Sequence, residues 1–126
     1  MISVSVVKEI HRILVEKFGG SHGIRDIGLL DSALNRPYQT FDGIQLYPAA
    51  VEKAAAIFES LITNHPFLDG NKRTAYVLIR LILLEGNLVI TATQDNKYAF
   101  VIQAAKGELS FNEIKNWIHS NSKTLQ

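Results

Sequence analysis

Residues 65–73 read His-Pro-Phe-Leu-Asp-Gly-Asn-Lys-Arg, and they join the two stretches of the chain that look most like buried helices. Residues 49–64, before this segment, are rich in alanine and carry further apolar side chains on one stripe. Residues 71–85 are apolar on almost every side, which is typical of a helix at the centre of a fold. The segment therefore predicts a polar loop between two central helices, with an all-α fold built around them.

Helical periodicity continues outward from this pair toward both ends of the chain. About six helices are predicted, over residues 4–18, 26–36, 49–64, 71–85, 94–106 and 110–121. Residues that commonly stop or cap helices mark their ends: Gly19-Gly20, Asp26, Pro37, Pro48 in a first turn, Thr93, and the capping-box pair Ser110 and Glu113.

Residues 38–47 differ from the helical remainder of the chain. Asp42-Gly43 stands there between short flanks with β propensity, which is the strongest short-range signal of a β-hairpin. An isolated hairpin is only marginally stable in water. We therefore expect a short β-hairpin that lies on the helical domain as a flap and forms no sheet core.

The composition is that of an ordinary globular protein with a single domain, residues 1–126. Hydrophobic residues make up 47% of the chain, and a formal net charge of +1 with dispersed basic residues favours no direct nucleic-acid or membrane partner. The absence of cysteine excludes disulfides, thiolate metal sites and thiol nucleophiles. The sequence shows no signal peptide and no apolar run that could span a membrane, so we expect a cytoplasmic protein.

The segment at residues 65–73 has the residue types of an anion-binding site. Gly70 lets the backbone approach a ligand closely, and the following helix presents unpaired amides and the positive end of its dipole. Lys72 adds a compact positive charge, and Arg73 adds a guanidinium that can bind two phosphate oxygens. Cations fit the other end of a helix better, so a basic pair in the first turn is unusual without a negative ligand.

Two further residues of the segment suit phosphate chemistry. Asp69 would repel a bare phosphate, but it suits Mg²⁺, which prefers one or two carboxylates together with phosphate oxygens. His65, with a reference pKa of about 6.5, can act as a neutral base toward an attacking hydroxyl. Taken singly, a histidine before proline and an Asp-Gly-Asn sequence are more often an ordinary loop and turn. Together these residues predict an anion site without specifying its reaction.

The same segment, extended through Thr74-Ala75, resembles the signature of the Fic/Doc family, and most closely that of the death-on-curing (Doc) toxins of toxin–antitoxin modules. The resemblance covers nearly the whole chain. It includes Phe18-Gly19-Gly20, the Gly-Ile-Arg-Asp sequence of residues 23–26, and residues 29–34. It implies a compact, all-α Fic fold with the motif between two central helices.

The resemblance also implies a role for each motif residue. The general base falls on His65 and the Mg²⁺ ligand on Asp69. The positions that bind ATP, the co-substrate, are Phe67, Gly70, Asn71, Lys72 and Arg73. The flap of the family falls on the predicted hairpin, where the backbone of a target protein is aligned as an added strand.

Two positions bear on the reaction. AMP-transferring Fic enzymes typically have Gly where this chain has Lys72 and a second Arg where it has Tyr76, whereas Doc is similar to this chain at both. Gly70, by contrast, is the Fic-like choice. Resemblance to Doc implies a kinase that binds ATP in reverse and transfers its γ-phosphoryl group to a threonine of elongation factor Tu, which arrests translation. The alternatives are AMP transfer to a protein hydroxyl and an inactive module that only binds a nucleotide or a partner.

A Doc-like toxin implies a separate antitoxin, often a Phd-like protein whose disordered tail folds on binding. Some Fic proteins instead inhibit themselves through a Ser/Thr-x-x-x-Glu-Gly/Asn helix. Residues 5–9 come nearest to that pattern, but Ile10 breaks it, so an ordinary helical turn is favoured there. A DNA-binding regulator is a further hypothesis, which the balanced charge disfavours.

Other residues are candidates for supporting roles. Arg25 and Asp26 could shape the rim of the site, but a loop contact and an N-cap are the favoured roles. Trp117 is at helical spacing with apolar neighbours and is expected in the core. Arg80, two turns along the motif helix, is expected to extend to solvent or to form an ion pair. The remaining histidines have no metal-ligand spacing and are expected on the surface or in loops: His11, His22 and His119.

Overall fold

Helices dominate the computed structural model, which describes residues 1–125. The six α-helices in this range are α1 (Val4–Phe18), α2 (Ile27–Asn35), α3 (Ala50–Asn64), α4 (Asn71–Glu85), α5 (Gln94–Ala105) and α6 (Phe111–Ser120). The short strands are β1 (Thr40–Phe41), β2 (Ile44–Gln45), β3 (Leu88–Ile90) and β4 (Ser122–Thr124). The prediction of an all-α fold with about six helices is confirmed. Within this described range, no helix has the length and apolar character needed to cross a bilayer.

Side chains at the helix N-termini explain where several of these helices begin. Asp26, Thr93 and Ser110 each accept a hydrogen bond from the amide three residues ahead. Glu113 bonds back to the amide of Ser110 and completes a capping box at α6. These bonds satisfy amides that a helix start leaves unpaired, and they confirm the predicted caps.

Two prolines lie just outside the α-helices. α2 stops at Asn35, and Pro37 belongs to the 3₁₀ turn that follows it. Pro48 was expected in the first turn of α3, but it precedes Ala49, which is the N-cap. The fixed φ of proline and its missing amide suit these flanking positions as well as they suit a first turn.

α3 and α4 form the centre of the fold and pack against each other along their length. Both helices bury small and large apolar side chains, among them Ala54, Ala55, Phe58, Leu78 and Ile79. At the end of the pair away from residues 65–70, a Cβ built on Gly86 would lie 2.5 Å from the Cβ of Ala50. The two helices are therefore closely packed, and moving them apart would expose apolar side chains. Their packing fixes the position of the loop that joins them.

Aromatic rings connect the last two helices to this centre. Phe100 on α5 stacks on Phe58 of α3, with ring centroids 5.1 Å apart. Trp117 on α6 also stacks on Phe100, with ring centroids 3.9 Å apart and the rings nearly parallel. Such contacts add to the burial of apolar surface. Trp117 was expected in the core; it is half-buried and packs against the core from its edge.

The predicted hairpin is present, with β1 and β2 paired antiparallel. Asp42 and Gly43 at its turn have φ of 52° and 77°, the left-handed conformation that a two-residue hairpin turn requires. Phe41 and Ile44 flank the turn and are 71% and 72% exposed. Lys53 on α3 donates a hydrogen bond of 2.8 Å to a side-chain oxygen of β2, which ties the hairpin to the helical body.

A second sheet, absent from the sequence-based expectation, pairs β3 with β4 antiparallel. It ties the segment that leaves α4 to the segment that follows α6. Ile90 lies opposite Ser122, and the backbone amide of Thr91 donates to the carbonyl of Asn121 at 2.7 Å. The partners are far apart in sequence and each strand has three residues, so periodicity within a short window could not indicate the pairing.

Candidate active site

The segment that joins α3 to α4, the motif loop (residues 65–70), is bounded by two residues in the left-handed conformation. His65 ends α3 with φ 49° and ψ 62°, and Gly70 precedes α4 with φ 77°. A residue other than glycine seldom adopts positive φ, so the surroundings of His65 must hold it there. The two turns place His65 at one end of the motif loop and the N-terminus of α4 at the other.

A short antiparallel pairing with the segment between α1 and α2 fixes the middle of the motif loop. The amides of Arg25 and Asp26 donate to the carbonyl of Pro66 at 2.7 and 3.0 Å, and the amide of Leu68 donates to the carbonyl of Gly23 at 3.1 Å. Gly23 has a φ of 119°, a conformation that residues with a side chain rarely adopt. The backbone of this pairing therefore favours glycine at this position.

Arg25 holds the backbone of His65 in place. Its Nε donates to the carbonyl of His65 at 2.7 Å, and its guanidinium also donates to the carbonyl of Asn64. A cation at the C-terminus of α3 is favoured by the helix dipole. The expected roles of Arg25 as a loop contact and Asp26 as the N-cap of α2 are confirmed. The His65 ring is exposed and makes no hydrogen bond within residues 1–125, so it can meet a substrate.

Asn71 closes the motif loop from its far end. Its side-chain oxygen accepts from the amide of Phe67 at 3.0 Å, and its side-chain nitrogen donates to the carbonyl of Phe67 at 3.0 Å. Both residues are buried. The side chains of these two motif residues therefore stabilise the loop from within. Only their backbone can face a ligand.

His11 lies beneath the motif loop, and the expectation that it is a surface or loop residue is wrong. It is 4% exposed and its ring stacks on Phe67 with centroids 3.9 Å apart and planes at 7°. Its Nε2 is 2.7 Å from the carbonyl oxygen of Asp69. Because a carbonyl oxygen can only accept, Nε2 is the hydrogen-bond donor. Val7 and Val15, four residues before and after His11, are buried on the same helix face. That spacing was the signal that could have placed it inside.

The carboxylate of Asp69 is held by backbone amides. Oδ1 accepts from the amide of Gly70 at 2.8 Å, and Oδ2 accepts from the amide of Ser21 at 3.1 Å. These two bonds, with the nearby charges of Lys72 and Arg73, lower the pKa of Asp69. The group is therefore ionised at neutral pH, with both oxygens oriented and lone pairs left for a cation.

The N-terminus of α4 forms the anion-binding end of the motif. The first hydrogen bond of the helix runs from the amide of Thr74 to the carbonyl of Gly70 at 3.1 Å. The amides of residues 71–73 come before this bond and have no acceptor within the helix. Lys72 and Arg73 are exposed at this end. The guanidinium of Arg73 lies over the ring of Phe18 at 4.8 Å, which restrains the cation beside the amides.

A cleft of about 790 Å³ opens from this end of the motif between α1, α4 and α5. Five cations line it, which we call the cationic cleft: Lys17, Lys72, Arg73, Arg80 and Lys97. The one acidic residue of its lining is Asp69, and none of the five cations forms an ion pair with any residue from 1 to 125. His65 does not line this cleft.

Sequence reasoning found the part of the cleft at the motif but not its extension along α4 and α5. Lys17 and Lys97 were not singled out, because they lie on helices far from the motif in sequence. Arg80 was noticed only as a solvent-facing or paired side chain. Its spacing of seven residues from Arg73 places both on one face of α4, and this is the signal that could have linked them.

Comparison with known proteins gave two findings. The model of the Fic/DOC family matches residues 1–83. The protein named Toxin Doc from Mycolicibacterium smegmatis is 52% identical over 59 residues, which are 47% of this chain and 45% of that protein. The matched segment thus spans less than half the length of that relative.

Proposed function

The chain belongs to the Fic/DOC family, and from this premise we propose that it is a Doc-like toxin that transfers the γ-phosphoryl group of ATP to a serine or threonine hydroxyl of a protein. The proposed target is a translation protein similar to elongation factor Tu. The observation that carries the proposal is the position of His65. Its exposed ring lies at one end of the motif loop, and the other end of that loop leads into the basic N-terminus of α4. A positioned base beside an anion site is what phosphoryl transfer to a hydroxyl requires.

His65 is the general base of the proposed reaction. The hydroxyl oxygen of the target attacks the γ-phosphorus, the bond from that phosphorus to the β–γ bridging oxygen breaks, and ADP leaves. The hydroxyl proton passes to the ring of His65 and from there to solvent. Because Arg25 fixes the backbone of His65, the ring can move only about its own side-chain bonds, which keeps it near the phosphate end.

Asp69 is the proposed Mg²⁺ ligand. The amides of Gly70 and Ser21 orient its carboxylate and keep it ionised. No group of three His, Cys, Asp or Glu side chains within residues 1–125 could hold a metal alone. One carboxylate completed by phosphate oxygens and water is the set that Mg²⁺ prefers. When bound, Mg²⁺ supplies positive charge that offsets the charge of the transferring phosphate.

The proposed ATP-binding positions divide into two roles. Gly70, Lys72 and Arg73 would contact the phosphate chain through backbone and charged side chains at the start of α4. Phe67 and Asn71 support the loop from inside, since their side chains are already engaged there. This division explains why a single short segment needs both buried and exposed residues.

Lys72 favours γ-phosphoryl transfer over AMP transfer in this proposal. By resemblance, AMP-transferring relatives have glycine at this position, and an ammonium occupies space that the α-phosphate side would otherwise use. Lys72 is exposed and lines the cationic cleft, so its charge stands where the phosphate chain would pass. AMP transfer remains the second candidate, because Gly70 is the residue found in AMP-transferring relatives.

The two reactions are separated by the position of the label on ATP. The purified chain is incubated with bacterial lysate and ATP labelled at either the γ- or the α-phosphate. We expect protein labelling from the γ-position alone, and none with His65→Ala, whose exposed site leaves the fold intact. Labelling from the α-position would overturn the kinase reaction in favour of AMP transfer. Binding of ATP without labelling from either position would indicate a binding module.

An antitoxin and a target-binding flap complete the proposal. The β1–β2 hairpin has exposed edges and exposed apolar side chains at Phe41 and Ile44, which suits the addition of a target backbone as a further strand. A Phd-like antitoxin is the proposed inhibitor, because residues 5–10 lack the complete internal inhibitory pattern. Co-expression of such an antitoxin is expected to restore growth that the chain arrests.

A further inference from the structure

The cationic cleft extends well beyond the motif loop. Arg73, Val77 and Arg80 on α4 are spaced i, i+4 and i+7, and all three line the cleft, so they share one helix face. From the rise of an α-helix, Arg80 lies about 10 Å further along the axis than Arg73. Lys97 lines the same cleft from α5. The cleft therefore has cations at the motif and a further group of cations away from it.

Ordinary solvation does not explain this arrangement. Single exposed lysines and arginines are common on protein surfaces. Here five of them share one concave site with a single carboxylate, and like charges in such a site repel each other. Burial raises the pKa of Tyr76 while the positive charge of Arg80 lowers it, which indicates that the guanidinium lies near this residue of the cleft wall. An anion that reaches along the cleft would relieve this repulsion.

We propose that Arg80 and Lys97 form a second phosphate subsite, which binds the part of a nucleoside triphosphate's phosphate chain nearest the nucleoside. Lys72 and Arg73 then bind the terminal phosphate at the start of α4. The inference rests on the proposed binding of ATP and adds the residues that receive its inner phosphates. A single inorganic phosphate, which cannot span both subsites, is expected at the start of α4, where backbone amides add to the charges of Lys72 and Arg73.

The second subsite would also set the direction of the nucleotide. The cleft opens from the start of α4 toward α5, and His65 is not part of its lining. When the nucleoside side of the phosphate chain lies in the cleft, the terminal phosphate is left at the motif loop, where His65 stands. Arg80 and Lys97 would thereby determine which phosphorus atom faces the base.

Calorimetric titration of the full chain tests the subsite. ATP with Mg²⁺ and inorganic phosphate alone are titrated into the wild type, Arg80→Gln, Lys97→Gln and the control Lys106→Gln. Lys106 is an exposed cation at the C-terminal end of α5 that does not line the cleft. We expect each cleft variant to bind ATP about tenfold more weakly, the loss of one charge-assisted hydrogen bond, with unchanged thermal melting. Phosphate binding and the Lys106 control are expected to match the wild type.

The outcomes separate the subsite from the proposed function. Wild-type affinity for ATP in both cleft variants would overturn the subsite, whether or not the chain transfers phosphate. Equal weakening in Lys106→Gln, or equal weakening of inorganic phosphate binding, would also overturn it, because the effect would then be one of general charge. No ATP binding by the wild type would overturn the subsite and the nucleotide step together. ATP binding that depends on Arg80, without any transfer, would support the subsite and overturn the proposed function alone.

Discussion

His11 shows how a residue with no reactive role can set the geometry of the motif loop. It stacks on Phe67 and its Nε2 lies 2.7 Å from the carbonyl oxygen of Asp69, so one side chain fixes the loop in two ways. The sequence suggested a surface or loop residue because His11 has no metal-ligand spacing with the other histidines. Its hydrogen-bond partner is a backbone carbonyl 58 positions away, which no local pattern indicates.

Two substitutions at His11 separate its stacking from its hydrogen bond. His11→Phe keeps a ring against Phe67 but leaves the carbonyl of Asp69 without its donor. His11→Gln keeps a donor and loses the ring stack. We expect both variants to fold, with the free energy of unfolding lowered by about 1–3 kcal/mol in urea titrations. We expect kcat for protein labelling to fall about tenfold in His11→Phe and less in His11→Gln, because the donor positions Asp69.

A purely structural role for His11 predicts a different pattern. In that case both variants would lose activity only in proportion to the fraction of unfolded protein, and His11→Gln would not recover kcat. Val7→Ala is a suitable control, because Val7 is buried on the same face of α1 but is one turn further from the motif loop. It is expected to lower stability without a specific loss in kcat.

Asp69 gives the motif loop a dependence on pH. The amides of Gly70 and Ser21 lower its pKa in the folded chain relative to the unfolded value of about 4. Its charge therefore stabilises the fold above that unfolded value, and the contribution is lost as the pH falls through the lower folded-state pKa. We expect the difference in Tm between the wild type and Asp69→Asn to be largest near neutral pH and to vanish in acid. A difference in Tm that stays constant from neutral to acid pH would contradict this cause.

At the scale of elements, helix positions were largely predictable because the information is local. Caps such as Asp26 and Ser110 act within three residues, and apolar periodicity acts within one helix. The hairpin was equally local, since Asp42-Gly43 supplies both positive φ angles. The cationic cleft was not predictable in this way, because α1, α4 and α5 each contribute to it and only packing brings them together.

The hairpin is expected to act on the target protein and not on the nucleotide. Phe41 and Ile44 are largely exposed, so Phe41→Ser with Ile44→Ser should leave Tm within a few degrees of the wild type. We expect labelling of the target to fall about tenfold or more in this variant, because an apolar docking surface is removed. ATP affinity measured by calorimetry is expected to be unchanged. Equal labelling by the variant and the wild type would show that the hairpin does not bind the target.

Over the whole molecule, the motif loop lies where several separate segments converge. α1 contributes His11, the segment before α2 contributes Arg25, and α3 and α4 contribute the loop's two ends. None of these segments holds the geometry of the motif loop alone: the segment before α2 supplies most of the hydrogen bonds, and α1 supplies the ring stack and the bond of His11. The spacing of α3 and α4 therefore connects the stability of the core to the position of His65 relative to the start of α4.

Gly86 and Ala50 allow that connection to be tested far from the motif loop. A methyl group at position 86 would lie 2.5 Å from the Cβ of Ala50, so Gly86→Ala forces the ends of α3 and α4 apart. We expect the free energy of unfolding to fall by about 1–3 kcal/mol, as for other overpacked contacts. The double variant Gly86→Ala with Ala50→Gly removes the clash, and we expect it to recover most of the stability and the labelling rate. If the double variant were no more stable than Gly86→Ala, the close contact between α3 and α4 could not be what holds this pair in register.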